Sequence, residues 1–427
     1  MPVCLVMSGI EVCMSHPEQG HDSFTVDMQN KPQLDNKAIS TLVEDGVTYV
    51  EEAMPRFMQD LQKLCMIDSP SEDSAGLNKM AEQLGLLLRS VGMRASIITH
   101  PRGNAVVGTM GGSDPTAPAC LLIGHHDTVH PVGSASAHTR LEVEKLYAPG
   151  TVDMKAGLLQ GIYALELLRK HNYQAFSKIT FLSVPDEEIF ARYHVGLIRE
   201  LAQGKPFVIG LEGARSIGNV VTRRKGCTHY RLSAKGQAAH AGSNPERGRN
   251  AVVELAHQIV QAQSFMGWRE GLTINAGPIK GGSRANIVSD YAEIVFDLRF
   301  LQPEDRRAAE ARWRELLQQQ LVPGVELTLT PVPDSMQPMV ATERSLALAG
   351  QVQLIAEQIL HVPFDPETRG GASDCCNTAI VGCPSIDGLG AIGGGAHTDE
   401  EYVLLAPISQ RIALLAGLIA SIPALQN

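Results

Sequence analysis

Aromatic residues, paired cysteines and positive charge are all scarce in this sequence of 427 residues. Only 5% of the residues are aromatic, and the eight cysteines include no CxxC pair. This pattern argues against a disulfide framework and favours free thiols in a reducing cytoplasm. The adjacent Cys375 and Cys376 are interpreted as small core residues at the start of a helix. The net charge is -10 and the basic residues are scattered, which argues against nucleic-acid binding.

Long apolar runs are scarce as well. We find no run that reaches the roughly 18 residues of a membrane-spanning helix, so we expect no membrane partner. The stretch Met1–Met14 is apolar, but it lacks a basic start and contains Glu11, so we interpret it as part of an arm rather than as a signal peptide. With 44% apolar and 19% charged residues, the composition is that of a globular protein, and the length suggests two domains.

Hydrophobic periodicity separates an N-terminal arm, 1–38, from a folded remainder. The arm is polar with little periodicity, so we expect it to be flexible. From 39 to 225, predicted helices alternate with apolar strands, which is typical of a sheet buried between helices. The strands are predicted at 119–124, 178–184 and 206–211, and the helices at 39–65, 75–92 and 154–170.

A smaller domain interrupts this pattern at 226–334. Its predicted elements follow the order βαββαβ, which is the order of ferredoxin-like domains. The strands are predicted at 226–235, 272–279, 291–300 and 325–331, and the helices at 247–265 and 304–320. We interpret the Pro-rich segment 331–338 as a linker to residues 335–427, which complete the first domain. The predicted fold class is therefore α/β, a mixed sheet sandwiched by helices with an inserted ferredoxin-like βαββαβ domain.

Histidines and acidic residues follow the predicted strands, where open α/β sheets place their sites. His125 ends an apolar strand, and Asp127 shares a side with it in extended chain and can hydrogen-bond the imidazole. A single histidine is more often structural, and an aspartate before a helix, such as Asp153, is ordinarily a helix cap. The other candidates at such positions are Glu187, Glu188, Glu212 and His397. Two imidazoles and several carboxylates together suit a pair of borderline-hard divalent ions.

At these positions the sequence resembles the co-catalytic metallohydrolases that include glutamate carboxypeptidase, acetylornithine deacetylase, succinyl-diaminopimelate desuccinylase and aminoacylase. The resemblance covers residues 60–427. The inserted domain matches the lid of this family, and GQAAHAGSNP at 236–245 is similar to its characteristic loop. The resemblance implies a metal-dependent hydrolase that cleaves a C–N bond in a peptide or N-acyl amino acid carrying a carboxylate.

The resemblance also implies a role for each candidate residue. One ion would be held by His125, Asp153 and Glu212, and a second by Asp153, Glu188 and His397. The cofactor would be one or two divalent ions per subunit, of zinc, manganese or cobalt. Glu187 would be the general base that takes a proton from the attacking water and returns it to the leaving nitrogen. Asp127 would orient His125.

Further positions match residues of the family that touch the substrate. His240 would reach from the lid of a partner subunit to the scissile group, which implies a homodimer formed through the lids. Asn286 and Arg299 match positions that clasp a substrate carboxylate, for which arginine offers a planar fork. Gly371 and Ser373 belong to a loop whose backbone amides could hold an anion.

The segment after the paired glutamates departs from the family. Relatives usually continue with small residues, whereas this chain has IFARYH at 189–194. Arg192 and His194 could reshape the substrate pocket, or the segment could be an ordinary helix start with Arg192 on the surface. The linker at 332–338 also lacks the arginine of glutamate-cleaving relatives. The alternative function is hydrolytic deamination of an aromatic amine acid such as 5-nitroanthranilate, whose planar anion Arg192, Tyr193 and His194 could bind.

Overall fold

The computed structural model describes residues 3–7, 10–14, 24–27 and 37–426. Their helices are α1 (Lys37–Cys65), α2 (Ser74–Ser90), α3 (Ser134–His138), α4 (Ala156–Lys170), α5 (Val195–Ala202), α6 (Ala251–Ala262), α7 (Pro303–Leu316), α8 (Glu343–Leu354), α9 (Asp374–Ala379) and α10 (Ile408–Ser421). The predicted arm at 1–38 falls mostly outside the described residues, and its flexibility stays a prediction.

The strands are numbered in chain order. They are β1 (Val3–Met7), β2 (Ile10–Met14), β3 (Phe24–Asp27), β4 (Arg94–Ile98), β5 (Ala105–Gly111), β6 (Cys120–His125), β7 (Arg140–Leu141), β8 (Lys145–Tyr147), β9 (Lys178–Val184), β10 (Phe207–Gly210), β11 (Asn219–Arg224), β12 (Gly226–Lys235), β13 (Thr273–Gly281), β14 (Tyr291–Phe300), β15 (Glu326–Met336), β16 (Asp365–Arg369), β17 (Ser385–Ile386), β18 (Gly393–Gly394) and β19 (Tyr402–Leu404).

The chain divides into two compact units. The larger unit comprises Met1–Arg223, Ala341–Thr368 and Ser373–Asn427. The smaller unit comprises Arg224–Val340 and Arg369–Ala372. The smaller unit contains the whole of the segment 226–334 that was predicted as an inserted domain.

The larger unit is built on a six-stranded mixed sheet, as predicted. Its strand order is β17-β10-β6-β9-β5-β4, with β17, β10, β6 and β9 parallel and β5 and β4 antiparallel to their neighbours. Every residue of β6 is buried, which explains its continuous apolar run. Helices α1, α4 and α10 pack on one another, and α2 packs against β4 and β5. Cys375 and Cys376 are buried in α9, which confirms their interpretation as core residues.

The stretch Ile408–Leu425 corrects one expectation. Its 18 residues have a mean hydropathy of 1.6, so by length and composition it could cross a membrane, although the sequence analysis found no such run. In the structure, 78% of the stretch is buried, as in the core helix of a globular unit. Arg411 within it donates hydrogen bonds to the main-chain oxygens of Ile217, Gly388, Asn219 and Gly390.

The smaller unit has the predicted ferredoxin-like architecture. Its four strands form an antiparallel sheet in the order β13-β14-β12-β15, and α6 and α7 pack against it. Tyr230 of β12 and Phe296 of β14 pack against Trp313 of α7, with ring centroids 5.3 and 5.0 Å apart. Because side chains alternate along a strand, the odd-numbered residues of β12 lie on the other face of this sheet.

Several boundaries in the smaller unit differ from the prediction, and two of them have a clear physical reason. The predicted linker 331–338 is largely strand, because β15 continues to Met336. The sheet order makes β15 an edge strand, where proline can be accommodated despite its missing N–H. Helix α6 begins at Ala251 rather than at 247, since the side chain of Asn250 caps it by accepting hydrogen bonds from two main-chain N–H groups.

Candidate active site

Three adjacent strands of the larger unit end beside one another and carry candidate residues. Strand β6 ends at His125, β9 is followed by Glu187 and Glu188, and β10 is followed by Glu212. These strands are parallel and ordered β10-β6-β9, so their carboxyl ends meet at one edge of the sheet. The structure therefore places residues from distant parts of the sequence together.

Asp153 lies between two histidines. Its Oδ1 atom is 3.1 Å from His125 Nε2, and its Oδ2 atom is 3.2 Å from His397 Nε2. His125 Nε2 also lies 3.6 Å from Glu212 Oε1, and His397 Nε2 lies 3.4 Å from Glu188 Oε2. The five predicted ligands thus form two groups that share Asp153.

The donor set and its spacing fit divalent ions. Ligands held at zinc–nitrogen and zinc–oxygen bond lengths lie about 3.0–3.6 Å from each other, and the distances from each histidine to its two carboxylate neighbours fall in this range. Hydrogen bonds to Asp153 and Glu188 raise the pKa of His397 to about 10. Burial favours a lower pKa for His125, but hydrogen bonds to Asp127 and Asp153 raise it well above its ordinary value. The cluster therefore attracts positive charge.

Glu187 has a strongly shifted pKa. Burial raises the pKa of this carboxyl well above its ordinary value; His125 opposes the shift, and the charges of Glu212 and Asp374 add to it. Positive charge bound nearby would oppose this shift. Strongly shifted carboxyl groups of this kind are typical of catalytic acids and bases.

Asp127 holds a ligand and the paired glutamates at once. Its fully buried carboxylate accepts hydrogen bonds from the main-chain N–H groups of Glu187 and Glu188, both at 3.1 Å, and from Ser71 Oγ at 2.7 Å. His125 Nδ1 lies 3.1 Å from the main-chain oxygen and 3.3 Å from the carboxylate of Asp127. This contact directs Nε2 of His125 toward the cluster.

Glu401 is a positioning residue that the sequence analysis missed. Its buried carboxylate accepts main-chain hydrogen bonds from Gly150 at 2.8 Å, Val152 at 2.8 Å and Asp153 at 3.0 Å. These bonds fix the turn Thr151–Lys155, which carries the shared aspartate. Three acids follow the last histidine in the sequence, but nothing in the sequence shows which of them turns inward.

The unusual segment 189–194 is anchored by Asp186. The Asp186 carboxylate accepts hydrogen bonds from the main-chain N–H groups of Tyr193 at 2.6 Å and His194 at 3.2 Å, and its Oδ1 lies 3.0 Å from His194 Nδ1. His194 is buried and Arg192 is exposed. The segment is a turn that leads into α5, which begins at Val195; a role of Arg192 or His194 in the substrate pocket stays a prediction.

Ser373 is occupied by structural contacts. Its hydroxyl donates to Asp387 Oδ2 at 2.6 Å and accepts from the N–H of Cys375 at 3.2 Å, which caps α9. The neighbouring Asp374 is buried, and neither of its carboxylate oxygens has a hydrogen-bond partner among the described residues. Burial raises the pKa of Asp374 well above its ordinary value.

Arg299 is already engaged within the smaller unit. Its Nε donates to both carboxylate oxygens of Asp297, at 2.8 and 3.1 Å, and its Nη2 donates to Oδ2 at 2.9 Å. The fork predicted to clasp a substrate carboxylate therefore holds a carboxylate of the protein. Gly371, which was predicted to bind an anion, accepts a hydrogen bond from Arg224 through its main-chain oxygen.

His240 and Asn286 lie on adjacent loops of the smaller unit. The main-chain oxygen of Asn286 accepts a hydrogen bond from the N–H of Ala241 at 3.0 Å. Nδ1 of His240 accepts hydrogen bonds from the main-chain N–H groups of Gly242 and Ser243, both at 3.1 Å. Because Nδ1 is an acceptor, the neutral ring carries its proton on Nε2.

Comparison with solved structures gives the fold first. Aminopeptidase PepT from Bacillus cereus has a TM-score of 0.74 at 21% identity, over 86% of this chain and 98% of that one. The YxeP protein of Bacillus subtilis, described as a dinuclear metal-binding peptidase, has a TM-score of 0.65 at 15% identity, over 87% and 99%. The fold is that of metallopeptidases with a catalytic domain and a lid domain.

Sequence comparison then gives the family. Residues 121–421 match the model of peptidase family M20/M25/M40, so the chain belongs to this family and is a hydrolase. Carboxypeptidase G2 of Pseudomonas sp. (strain RS-16) is 28% identical over 379 residues, which cover 87% of this chain and 91% of the relative. These matches confirm the resemblance and the fold class that were predicted from the sequence.

Proposed function

We propose that this protein hydrolyses a C–N bond in a small substrate that carries a carboxylate, either a peptide or an N-acyl amino acid. The observation that carries the proposal is the contact of Asp153 with both His125 and His397, with the carboxyl of Glu187 close enough to feel the charges of His125 and Glu212. The relatives support it, since carboxypeptidase G2 and PepT are by name peptidases.

His125, Asp153 and Glu212 would hold one divalent ion, and Asp153, Glu188 and His397 a second. Zinc, manganese and cobalt all suit such imidazole and carboxylate donors. A bound ion would supply a Lewis acid that polarises the scissile group and lowers the pKa of water in the site. The description of YxeP as dinuclear supports two ions rather than one.

Glu187 would move the proton. Its carboxylate would accept a proton from the attacking water and return it to the leaving nitrogen. The short helical turn Glu187–Ile189 holds this side chain, and Asp127 fixes that turn through two main-chain N–H groups. Positive charge bound by the ligands would lower the raised pKa of Glu187 toward the range in which a base works near neutral pH.

The smaller unit would pair with a second copy of the chain. Strand β13 lies at the edge of its sheet, and Ile279 on that strand is 58% exposed. On α6, Val253 is 42% and Val260 is 72% exposed. An edge strand beside exposed apolar side chains is usually covered. In such a dimer, His240 would donate its Nε2–H to the scissile group bound by the partner.

The surface around Tyr193 supports a second candidate, the deamination of an aromatic amine acid such as 5-nitroanthranilate. The Tyr193 side chain is 37% exposed. Its ring lies 5.5 Å from that of His100, and the Arg102 guanidinium lies 5.4 Å from the ring centroid. Aromatic and cationic groups of this kind favour contact with a planar anion. The burial of His194 leaves this candidate weaker than the first.

A substrate screen separates the two candidates. Protein loaded with manganese or zinc is assayed against dipeptides, N-acyl amino acids and aminobenzoates, with the Glu187→Gln protein as the control for contaminating enzymes. Each active substrate is compared with its carboxamide analogue, which lacks the carboxylate. We expect turnover of peptides or N-acyl amino acids and a large loss with the carboxamides. Release of ammonia from aminobenzoates alone would favour the second candidate.

A further inference from the structure

Three side chains on one face of the smaller unit's sheet form a group that we name the sheet-face cluster: Cys227, His229 and Asp297. Cys227 and His229 are two residues apart in β12, so both point to the face opposite Tyr230 and the helices. Strand β14 pairs antiparallel with β12, and the register sets Asp297 directly opposite His229. The pleat and the strand pairing therefore bring the three donors together.

The distances within the sheet-face cluster fit one metal ion. Cys227 Sγ lies 3.9 Å from His229 Nε2 and 3.5 Å from Asp297 Oδ1, and His229 Nε2 lies 4.0 Å from Asp297 Oδ2. One donor atom from each of the three residues lies within 4.8 Å of the other two, and ligands on one zinc ion, at bond lengths of about 2.0–2.3 Å, lie roughly 3.3–3.8 Å apart. No large movement of the backbone is needed to close the site.

Burial and charge also favour a metal. Cys227 is buried, whereas the side chains of His229 and Asp297 are 24% and 27% exposed, so an ion and one water ligand have access from solvent. Arg299 donates to both oxygens of Asp297, which orients the carboxylate. The cationic Arg299 also repels an ion, but a Cys227 thiolate formed on binding offsets this repulsion.

We propose that Cys227, His229 and Asp297 bind one thiophilic divalent ion, which the mixed sulfur, imidazole and carboxylate donors identify as zinc. On binding, the Cys227 thiol loses its proton to solvent and the thiolate donates to the ion. The site is distinct from the candidate active site, whose predicted ligands all belong to the larger unit and include no sulfur. It links β12 to β14 across the sheet.

Cobalt(II) can distinguish this site from the active site. A thiolate bound to cobalt(II) gives a near-ultraviolet charge-transfer absorption, which imidazole and carboxylate ligands do not give. We expect the full-length wild-type protein to show this band, to bind one more equivalent of cobalt than the Cys227→Ser protein, and to lose the band when zinc is added in excess over all the proposed sites. Ser233→Ala, on the same strand and face but outside the cluster, should keep the band.

The variants make the proposal falsifiable. His229→Gln retains the Cys227 thiol but removes the imidazole donor, so we expect it to bind cobalt at this site at least tenfold more weakly. A thermal unfolding midpoint measured on the same protein confirms that the variant is folded. Absence of the band in the wild type would overturn the proposal and leave Cys227 as a thiol that donates to Asp297. A band that persists in Cys227→Ser would assign it to another cysteine and would overturn the proposal as well.

Discussion

The larger and the smaller unit place their metal-type donors in different parts of a sheet. In the larger unit, His125 and Glu212 lie at or just beyond strand ends, and Asp153 lies on a turn. In the smaller unit, Cys227 and Asp297 lie within strands, where register alone fixes their spacing. Turns and loops that converge at strand ends leave room for a second layer of orienting groups. A sheet face offers only side chains on neighbouring strands.

The two units differ most in the residues that orient the ligands without being ligands themselves. Asp127 and Glu401 in the larger unit each accept hydrogen bonds from several main-chain N–H groups and so fix the backbone that carries the ligands. Arg299, the corresponding neighbour in the smaller unit, contacts one ligand side chain. We therefore expect substitutions outside the ligand set to weaken metal binding in the larger unit more than in the smaller one.

The largest effect is expected for Asp153→Ala. Because Asp153 contacts both histidines of the active site, its loss should remove metal from both groups and abolish hydrolysis. The cobalt–thiolate band assigned to the smaller unit should remain, since none of its donors is changed. Elemental analysis measures metal content and the absorption spectrum measures the band. Full metal content in Asp153→Ala would contradict the shared-ligand arrangement.

Glu187→Gln should affect turnover but not metal. The amide keeps the shape of the side chain but cannot accept the proton, so we expect kcat to fall by about 10²–10⁴. Metal content should stay near that of the wild type, since Glu187 is not among the five predicted ligands. Steady-state kinetics with elemental analysis tests both points, and activity within twofold of the wild type would eliminate the base assignment.

Glu401→Gln tests whether Glu401 positions the turn that carries Asp153, and the adjacent Glu400 provides a matched control. The neutral amide weakens three main-chain hydrogen bonds around Asp153, and we expect metal affinity to fall by about 10–100-fold. Glu400→Gln is the control, because the Glu400 side chain is 71% exposed and pairs with Arg140 on the surface. Metal titration of both variants gives the comparison. Equal affinities would show that Glu401 does not position the turn.

The two units also differ in how much of their chemistry the sequence reveals. The strand-end part of the site could be predicted, because His125, Glu188 and Glu212 end or follow apolar strands that periodicity identifies. Asp153 and His397 were assigned by the resemblance to a known family. The pairing of Cys227 with Asp297 could not, since 70 residues separate them and only the register of β12 with β14 aligns them. Glu401 was missed for a similar reason, because its partners are main-chain N–H groups that have no sequence signal.

The partners that particular side chains contact were equally impossible to predict from the sequence. The sequence predicted Arg299 as a carboxylate clasp, but its cross-strand and same-strand neighbours decide what it binds, and the structure pairs it with Asp297. The contact of His194 with Asp186 was not visible in the sequence either. The βαββαβ order was predictable, whereas the end of β15 was not, because prolines near a strand end resemble a linker.

Mixed dimers test whether the smaller unit acts in trans. Glu187→Gln and His240→Ala proteins, each inactive, are mixed after reversible dissociation. If His240 serves the partner, each mixed dimer contains one site with both defects and one site with neither. Random pairing should then restore roughly a quarter of wild-type activity. No recovery despite proven subunit exchange would show that His240 serves its own chain or has no catalytic role.

The smallest effect is expected at His126, which adjoins His125 but lies outside the ligand groups. It is fully buried with Nδ1 2.8 Å from Ser183 Oγ, and burial lowers its pKa to about 3. An unfolded histidine has a pKa near 6.5, so the unfolded state binds an extra proton as the pH falls below that value. The free energy of unfolding should therefore decrease, by about 2 kcal/mol for this residue between pH 7 and pH 5.

His126→Gln removes this titration and keeps a polar group for Ser183. Urea unfolding of the metal-free wild type and variant at pH 7 and pH 5 isolates the contribution of His126, because the other titrating groups are common to both proteins. The stability of the wild type relative to the variant should be lower at pH 5. Parallel stability curves would mean that His126 gains a proton within the folded strand end, which would contradict the lowering of its pKa by burial.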